Sequence, residues 1–178
     1  MSAAPDSETG EDRQRSQFML IYALAAAGAV AQYAVTLETI LLGCVLLWVC
    51  VLLLNRQKKA AQGTAFESHA KWITRTLYIG SVYLLPVATV IIFYFIYKDT
   101  HLAALQQNIV MNITTGRITT LAGLERIVQN YIHQYGGTIL RITYICITPP
   151  ILWWLWRCWT GFRRAAKSEP MNKPMAFL

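Results

Sequence analysis

Four stretches of this chain lack any charged side chain and are rich in apolar residues: 16–37, 39–55, 76–97 and 142–156. A helix needs about 20 residues to cross the hydrocarbon core of a bilayer, which is about 30 Å thick. The second and fourth stretches reach this length with their flanks, because a charge near a helix end, such as Glu38 or Arg141, can extend to the headgroups. The pattern predicts an all-α polytopic membrane protein with four transmembrane helices, at about 18–34, 36–54, 76–97 and 138–156.

The composition of the chain agrees with this fold class. Hydrophobic residues make up 55% of the 178 residues and charged residues make up only 14%. Soluble domains typically contain about a quarter charged residues. An ordinary soluble domain is therefore excluded, and the bilayer is the expected solvent for most of the chain.

The distribution of Lys and Arg predicts the orientation. With four helices, both termini and the loop between helices two and three share one side, and that side holds all of the 16 basic residues except Lys98, Arg117, Arg126 and Arg141. Because basic residues accumulate on the cytoplasmic side, we expect cytoplasmic termini: a tail at 1–17, a membrane domain at 18–162 with an outer loop at 98–137, and a basic tail at 163–178. The net charge of +7 also favours anionic headgroups at that face. No nucleic-acid-binding motif accompanies the charge, so no nucleic-acid partner is predicted.

A cleaved secretory signal is the alternative interpretation of the first apolar stretch, because Ala29-Val30-Ala31 resembles a processing site. Acidic residues precede this stretch where a signal has positive charge, and the next apolar run follows within a few residues. A hairpin of two membrane helices explains both facts. Thr36 would then cap the second helix, with Glu38 near its positive end.

The loop between helices two and three predicts the start of the third helix. Thr64 stands three residues before Glu67, which is the spacing of a capping box. On the helix that follows, Phe66, His69, Ala70 and Ile73 share one face, and Glu67 pairs with Lys71 on the other. Trp72 and Tyr78 are expected at the level of the headgroups.

Two blocks of the sequence resemble an uncharacterised family of small bacterial inner-membrane proteins, which is grouped by architecture with a subunit of the chloroplast protein-import translocon. One block runs from 67 to 80, and the other from 156 to 162 with a Pro shortly after it. The residues that carry the resemblance are Glu67, Ser68, His69, Lys71, Trp72, Arg75, Thr76, Gly80, Trp156, Arg157, Gly161 and Pro170. The resemblance implies four helices, cytoplasmic termini and a bacterial inner membrane, and it implies no established activity. The chain departs from the family at Ala70 and Leu77, where aromatic residues are expected, and in its longer outer loop.

The outer loop predicts a pair of amphipathic helices. Leu102, Leu105 and Ile109 form an apolar stripe in its first half. In the second half the apolar face consists of Ile118, Leu121, Leu124, Ile127, Val128, Tyr131 and Ile132, opposite Arg126, Gln129 and Asn130. We expect a helical hairpin on the periplasmic surface that rests on lipid or caps the bundle, and the alternative is a surface that binds a membrane-protein partner.

Inside the membrane, small residues and prolines are the informative features. Ala23, Ala27 and Ala31 repeat every four residues, and Ala25 and Ala29 form an adjacent row with Gly28 between them. These small residues would let helix one approach a neighbouring helix, or a partner, closely. Pro86 and the Pro149-Pro150 pair interrupt backbone hydrogen bonding, either as structural kinks or, alternatively, along a transport path. The four cysteines show no metal-ligand spacing, so neither a metal nor a cofactor is predicted.

The sequence contains no pattern that predicts catalysis. His69 has a carboxylate nearby in Glu67, but two residues along a helix the side chains point about 160° apart. Motifs for a nucleophile or for phosphate binding are absent from the sequence. We therefore predict a non-catalytic accessory, assembly or scaffold component of the membrane. A channel or transporter subunit is the alternative, and lipid-headgroup chemistry at His69 is a third possibility.

Overall fold

The computed structural model describes residues 6–34, 36–117 and 120–171, with side chains from Gly10 onward. These residues confirm the predicted all-α fold. They form six α-helices and one π-helical segment: α1 (Asp6–Tyr33), α2 (Leu37–Ala60), α3 (Phe66–Tyr78), the π segment (Ile79–Leu84), α4 (Leu85–Asp99), α5 (Leu102–Thr114) and α6 (Leu121–Ala166).

The helices divide into two compact units. The split unit consists of the chain up to Leu84 together with the chain from Pro149 onward, so it contains α1, α2, α3, the π segment and the second part of α6. The hairpin unit is Leu85–Thr148, with α4, α5 and the first part of α6. Both boundaries fall at prolines, since Pro86 follows the first and Pro149 opens the second half of the split unit. The prolines at which breaks in backbone hydrogen bonding were predicted therefore lie at or next to the limits of the units.

Three helices are long and apolar enough to cross a membrane: α2, the continuous helix from Phe66 to Asp99, and α6. In the best window of each, only 17% of the residues are buried inside the protein. These helices indicate a multi-pass membrane protein whose apolar surface faces outward. α1 is not among the three, so the fourth predicted span is not confirmed.

α1 begins at Asp6, so the described part of the predicted tail at 1–17 is helical. An ion pair of 2.8 Å between Arg15 and Asp12, three residues apart, spans this polar part of the helix. The buried face of α1 consists of Phe18, Ile21, Tyr22, Ala25 and Ala29. Of the two predicted small-residue rows, Ala25 and Ala29 are buried, whereas Ala23 and Ala27 are exposed and Ala31 is half-buried. The large side chains Phe18 and Tyr22 set which face turns inward.

Close contact between α1 and α2 occurs at two glycines. A Cβ atom on Gly43 would lie 2.8 Å from the backbone oxygen of Gly28, and one on Gly28 would lie 2.9 Å from the side chain of Leu47. Neither position has room for a larger residue. The predicted close approach of helix one is therefore present, and the predicted small residues Gly28 and Ala31 lie at the contact with Gly43 of α2.

A side-chain cap fixes the start of α2, whereas Ala65, the N-cap of α3, makes no side-chain capping bond, so the capping box predicted from Thr64 and Glu67 is absent. Thr36 is the N-cap of α2, as predicted: its hydroxyl accepts from the backbone N–H of Thr39 at 3.3 Å, and the Thr39 hydroxyl accepts from the backbone N–H of Thr36 at 3.2 Å. Before α3, Thr64 accepts from the N–H of Phe66 at 3.2 Å. The carboxylate of Glu67 reaches the N–H of Gly63 at 3.1 Å, one residue earlier than the predicted capping box requires.

The predicted helical hairpin is present in the hairpin unit as α5 and the first part of α6. Leu102, Leu105 and Ile109 are half-buried along α5, and so are Leu124, Ile127, Val128 and Tyr131 along α6. Leu121 and Ile132 are exposed, and Ile118 lies outside the described residues. α6 runs without interruption from Leu121 to Ala166, so the end of the predicted outer loop and the predicted fourth span belong to one continuous helix. The Gly136-Gly137 pair does not end the helix, because hydrogen bonding can continue through glycine at a modest cost.

The chain turns back after α6. Ser168 adopts a left-handed conformation with φ of 54°, and the segment 167–171 then lies against α3. The predicted basic tail at 163–178 is therefore helical up to Ala166 and folded onto the protein up to Met171, which is buried. The end of the predicted tail, 172–178, lies outside the described residues.

Candidate functional site

One face of α3 and the π segment collects polar and aromatic side chains in the interior of the split unit. His69, Trp72 and Thr76 follow one another at intervals of three and four residues, so they lie on the same side of the helix. His69 and Thr76 have no exposed surface, and Trp72 is 4% exposed. Trp72 was predicted at headgroup level, and this was wrong, because its position on the same face as His69 places it inside the protein.

Both ring nitrogens of His69 form hydrogen bonds. Nε2 lies 2.8 Å from the backbone oxygen of Glu169, and Nδ1 lies 3.1 Å from the hydroxyl of Tyr22. A carbonyl oxygen can only accept, so Nε2 donates to Glu169, and in the neutral form of the ring Nδ1 then accepts from the hydroxyl of Tyr22. His69 joins α1, α3 and the segment after α6 through these two bonds.

Arg157, on α6, is fully buried and lies directly over the ring of Trp72. The central carbon of its guanidinium is 3.6 Å from the ring centroid. Its Nε donates to the hydroxyl of Thr76 at 2.9 Å, and Thr76 in turn donates to the backbone oxygen of Trp72 at 2.9 Å. The indole N–H of Trp72 donates to the backbone oxygen of Arg157 at 3.2 Å, so each of the two helices donates a hydrogen bond to the other. A cation over an aromatic face is favourable, and more so where both are desolvated.

Two glycines let large aromatic rings pack against backbone. A Cβ atom on Gly80 would lie 2.2 Å from the ring of Trp154, and one on Gly161 would lie 2.2 Å from the ring of Tyr22. Such distances are far inside van der Waals contact. The sequence therefore requires glycine at both positions if Trp154 and Tyr22 are to be buried as they are.

Further contacts hold the segment after α6. The backbone N–H of Met171 donates to the hydroxyl of Ser68 at 2.8 Å, and Arg164 donates to the backbone oxygen of Pro170 at 3.2 Å. On the other side of His69, the rings of Phe18 and Phe66 stack with centroids 5.4 Å apart. We call the set Tyr22, His69, Trp72, Thr76, Arg157 and the backbone of Glu169 the polar interlock.

The structure separates the predicted motif residues into two groups. The first group lies within the split unit: His69, Trp72, Thr76 and Arg157 belong to the polar interlock. Gly161 packs against Tyr22 of the interlock, Gly80 packs against Trp154, and Ser68 and Pro170 bond with Met171 and Arg164. Those that face outward are Glu67 and Lys71, which form an exposed ion pair of 2.7 Å, Arg75, which is half-buried, and Trp156, which is 50% exposed. The predicted separation of Glu67 from His69 is thus present, and so is the predicted inward face of Phe66, His69, Ala70 and Ile73.

Sequence reasoning missed Tyr22, Trp154 and the backbone of Glu169. Phe18 and Tyr22 are four residues apart, and this spacing of large aromatic residues was a signal for the inward face of α1. Trp154 stands among several tryptophans, and nothing local distinguishes it from the exposed Trp156 and Trp159. The carbonyl of Glu169 is a backbone group, which no side-chain pattern reveals.

The polar interlock joins α1, α3, α6 and the segment after α6 through hydrogen bonds. Both ring nitrogens of its histidine are bonded within the protein, and its arginine is stacked and hydrogen-bonded. Within the described residues, no three His, Cys, Asp or Glu side chains are grouped as metal ligands. Cys50 and Cys158 are buried free thiols in the same unit, and the thiol of Cys50 points to the backbone oxygen of Ile21 at 3.5 Å.

Comparison of the chain with protein-family models, with curated proteins and with solved structures gives no match.

Proposed function

We propose that this protein is a non-catalytic accessory or scaffold component of a bacterial cytoplasmic membrane, with the split unit as its rigid part. The observation that carries the proposal is the polar interlock. The titratable and cationic groups that would have to perform chemistry, His69 and Arg157, are used to tie α1, α3, α6 and the segment after α6 to one another. A fixed arrangement of helices with an apolar outer surface suits a protein that positions other membrane components.

α1 is proposed as the fourth membrane helix. Its inward face contributes Phe18 and Tyr22 to the split unit, while Leu20 and Val30 are about half exposed on its outer face. A cleaved signal would remove Tyr22 from His69, so the packing supports a retained helix. With four spans, the excess of basic residues places both termini in the cytoplasm.

Membrane insertion and orientation are tested first. We expect the full chain to stay in the membrane fraction after carbonate extraction, and a reporter fused after Leu178 to be active only in the cytoplasm. Recovery in the supernatant would contradict membrane insertion. A reporter active only in the periplasm would contradict the orientation alone.

The scaffold role is tested by native electrophoresis of membranes solubilised in a mild detergent. We expect the protein in a complex larger than its own 20.1 kDa chain with a detergent belt. The Trp154→Ala variant, which removes a buried side chain of the split unit, should lose this complex, whereas the exposed Trp156→Ala should keep it. A wild-type protein that is solely monomeric under these conditions would contradict the role.

A channel or transporter subunit is the second candidate, favoured by the π segment and the prolines at the limits of the two units. π turns and proline breaks free backbone carbonyls, which can serve ions or substrates when they line a path. Here the hydroxyl of Ser81 already donates to the carbonyl of Leu77, at 2.5 Å, which favours a structural role for this turn. Flux of ions or small solutes through liposomes that contain the purified protein, absent from empty liposomes, would establish the second candidate over the first.

A further inference from the structure

A groove of about 780 Å³ opens on the surface of the split unit, where the end of α2 approaches α3 and the π segment. This size is in the range of pockets that hold small molecules. One end of the groove is lined by three basic side chains, Lys58, Lys71 and Arg75. The rest is mainly apolar and aromatic, with Tyr78, Ile79, Tyr83 and Leu84. The groove therefore has a cationic end and an apolar end.

The cationic end has an excess of positive charge. Lys71 pairs with Glu67 at 2.7 Å, but Arg75 forms no hydrogen bond or ion pair with any residue that the structure describes. Arg75 is half-buried and close enough to Arg157 for the two like charges to interact unfavourably. An anion next to Arg75 would relieve this repulsion and form charge-assisted hydrogen bonds with the guanidinium.

The cationic end and the apolar end of the groove follow one another along α3 and the π segment. Leu84 lies nine residues after Arg75, which corresponds to roughly 13 Å along a helix at 1.5 Å per residue. Tyr78 and Tyr83 stand between them with their rings edge to face, 5.5 Å apart, and each is 53% exposed. Tyrosines of this kind are typical of the boundary between headgroups and acyl chains.

We propose that this groove binds an anionic glycerophospholipid of the surrounding bilayer. The phosphate lies at Arg75 and Lys58, and the glycerol and the first part of an acyl chain follow Tyr78, Ile79 and Leu84 inward. A free phosphate would satisfy the cationic end alone and leave the apolar end uncovered, so the lipid is the better match. The inference rests on the proposed function in that the helix from Phe66 must lie in the membrane.

The test uses the full chain purified in detergent and transferred to nanodiscs with phosphatidylglycerol or with phosphatidylcholine of the same acyl chains. Lipid retained by the protein is counted by native mass spectrometry, and affinity is measured by titration of phosphatidylglycerol. We expect preferential retention of phosphatidylglycerol. The Lys58→Gln/Arg75→Gln variant should bind it about 25-fold more weakly, at about fivefold per charge removed.

The matched control is Arg56→Gln/Lys59→Gln. It also removes one arginine and one lysine, both from the end of α2, but neither residue lines the groove. This control should change the affinity less than about twofold. The single variant Lys58→Gln changes only an exposed side chain, and a loss of about fivefold is expected there even where the double variant fails to fold.

Three results would overturn the inference. Equal losses in the groove variant and the control would mean general attraction of lipid to a basic surface. Full displacement of the lipid by glycerol phosphate would mean a site for a free phosphate. Equal retention of phosphatidylglycerol and phosphatidylcholine by a membrane-inserted protein would contradict the lipid site and leave the proposed function intact. A protein that is not membrane-inserted would contradict the proposed function itself.

Discussion

The split unit and the hairpin unit differ in how they use polar side chains. In the split unit His69, Thr76 and Arg157 have no exposed surface and are joined in the polar interlock. In the hairpin unit, Thr100 and Ala88 are the only buried residues among those described. There the contacts are between half-exposed aromatic residues, such as Tyr131 and Tyr135 with ring centroids 5.0 Å apart.

The difference indicates that the split unit is restricted to one arrangement more strongly than the hairpin unit. A polar group left without a partner away from water costs far more than a lost apolar contact, so a buried network permits few alternative arrangements. The split unit connects segments up to 103 residues apart in sequence, whereas the hairpin unit connects neighbouring segments. We expect the split unit to unfold cooperatively and the hairpin unit to open locally at a lower free energy.

The largest expected effect is that of Trp154→Ala. Trp154 is 1% exposed, and its ring fills the space over Gly80, so truncation leaves a cavity and should lower the free energy of unfolding by roughly 3–5 kcal/mol. The measurement is thermal or SDS-induced unfolding of the purified protein. Trp156→Ala, two residues along the same helix and 50% exposed, is the control and should change stability by less than about 1 kcal/mol. Similar losses for the two variants would show that Trp154 is not packed in a specific site.

A pair of glycine substitutions compares the units directly. In Gly161→Ala the new methyl group would lie 2.2 Å from the ring of Tyr22, and this overpacking should cost about 3 kcal/mol. In Gly137→Ala, on the same helix in the hairpin unit, the methyl group meets nothing within 4 Å. That change should be neutral or stabilise the protein by roughly 0.5–1 kcal/mol through helix propensity. A stabilising Gly161→Ala would refute the close packing of Tyr22.

His69→Ala should have a smaller effect. It leaves the buried hydroxyl of Tyr22 and the carbonyl of Glu169 without their partner, at a cost of about 2 kcal/mol. Because the segment 167–171 is held partly through His69, it should also become more sensitive to limited proteolysis. His133→Ala, at an exposed position in the hairpin unit, should change neither stability nor cleavage. If cleavage after α6 stays at the wild-type rate in His69→Ala, the bond to Glu169 does not hold this segment.

The smallest expected effect lies in the hairpin unit. Tyr131→Phe removes the hydrogen bond between the hydroxyls of Tyr131 and Thr100 and should cost about 1 kcal/mol. Hydrogen exchange should rise in Leu85–Thr148 alone, because this contact does not belong to the polar interlock. Tyr97→Phe, at a 55% exposed position, serves as the control. Faster exchange around His69 in Tyr131→Phe would show that the two units unfold together.

Several parts of the fold were predictable because their causes are local. The cap at Thr36, the Glu67–Lys71 pair and the inward face of α3 each follow from residues within one or two turns of helix. The amphipathic stripes of α5 and α6 are likewise a matter of spacing along one helix. The limits of the helices were less accurate, since the polar start of α1 and the Gly136-Gly137 pair continue the helix where local pattern favours a break.

The polar interlock shows where prediction from sequence stops. Most of its side chains were named in advance as members of a motif, including His69, Trp72, Thr76 and Arg157, but their common location was not. Trp72 looked like an interfacial residue and proved to be the base on which Arg157 stacks. Tyr22 and the carbonyl of Glu169 lie 47 and 100 residues from His69, and no periodicity links such positions.

The sequence alone predicts that this chain is helical, that its helices are apolar enough for a membrane, and where the polar side of its amphipathic helices lies. These properties depend on composition and on spacing within one helix. Only the tertiary structure decided which rings and charges meet, which glycines must stay glycine, and that the end of α6 turns back onto α3. Those features depend on which helices become neighbours, and this is decided by packing between segments that are distant along the chain.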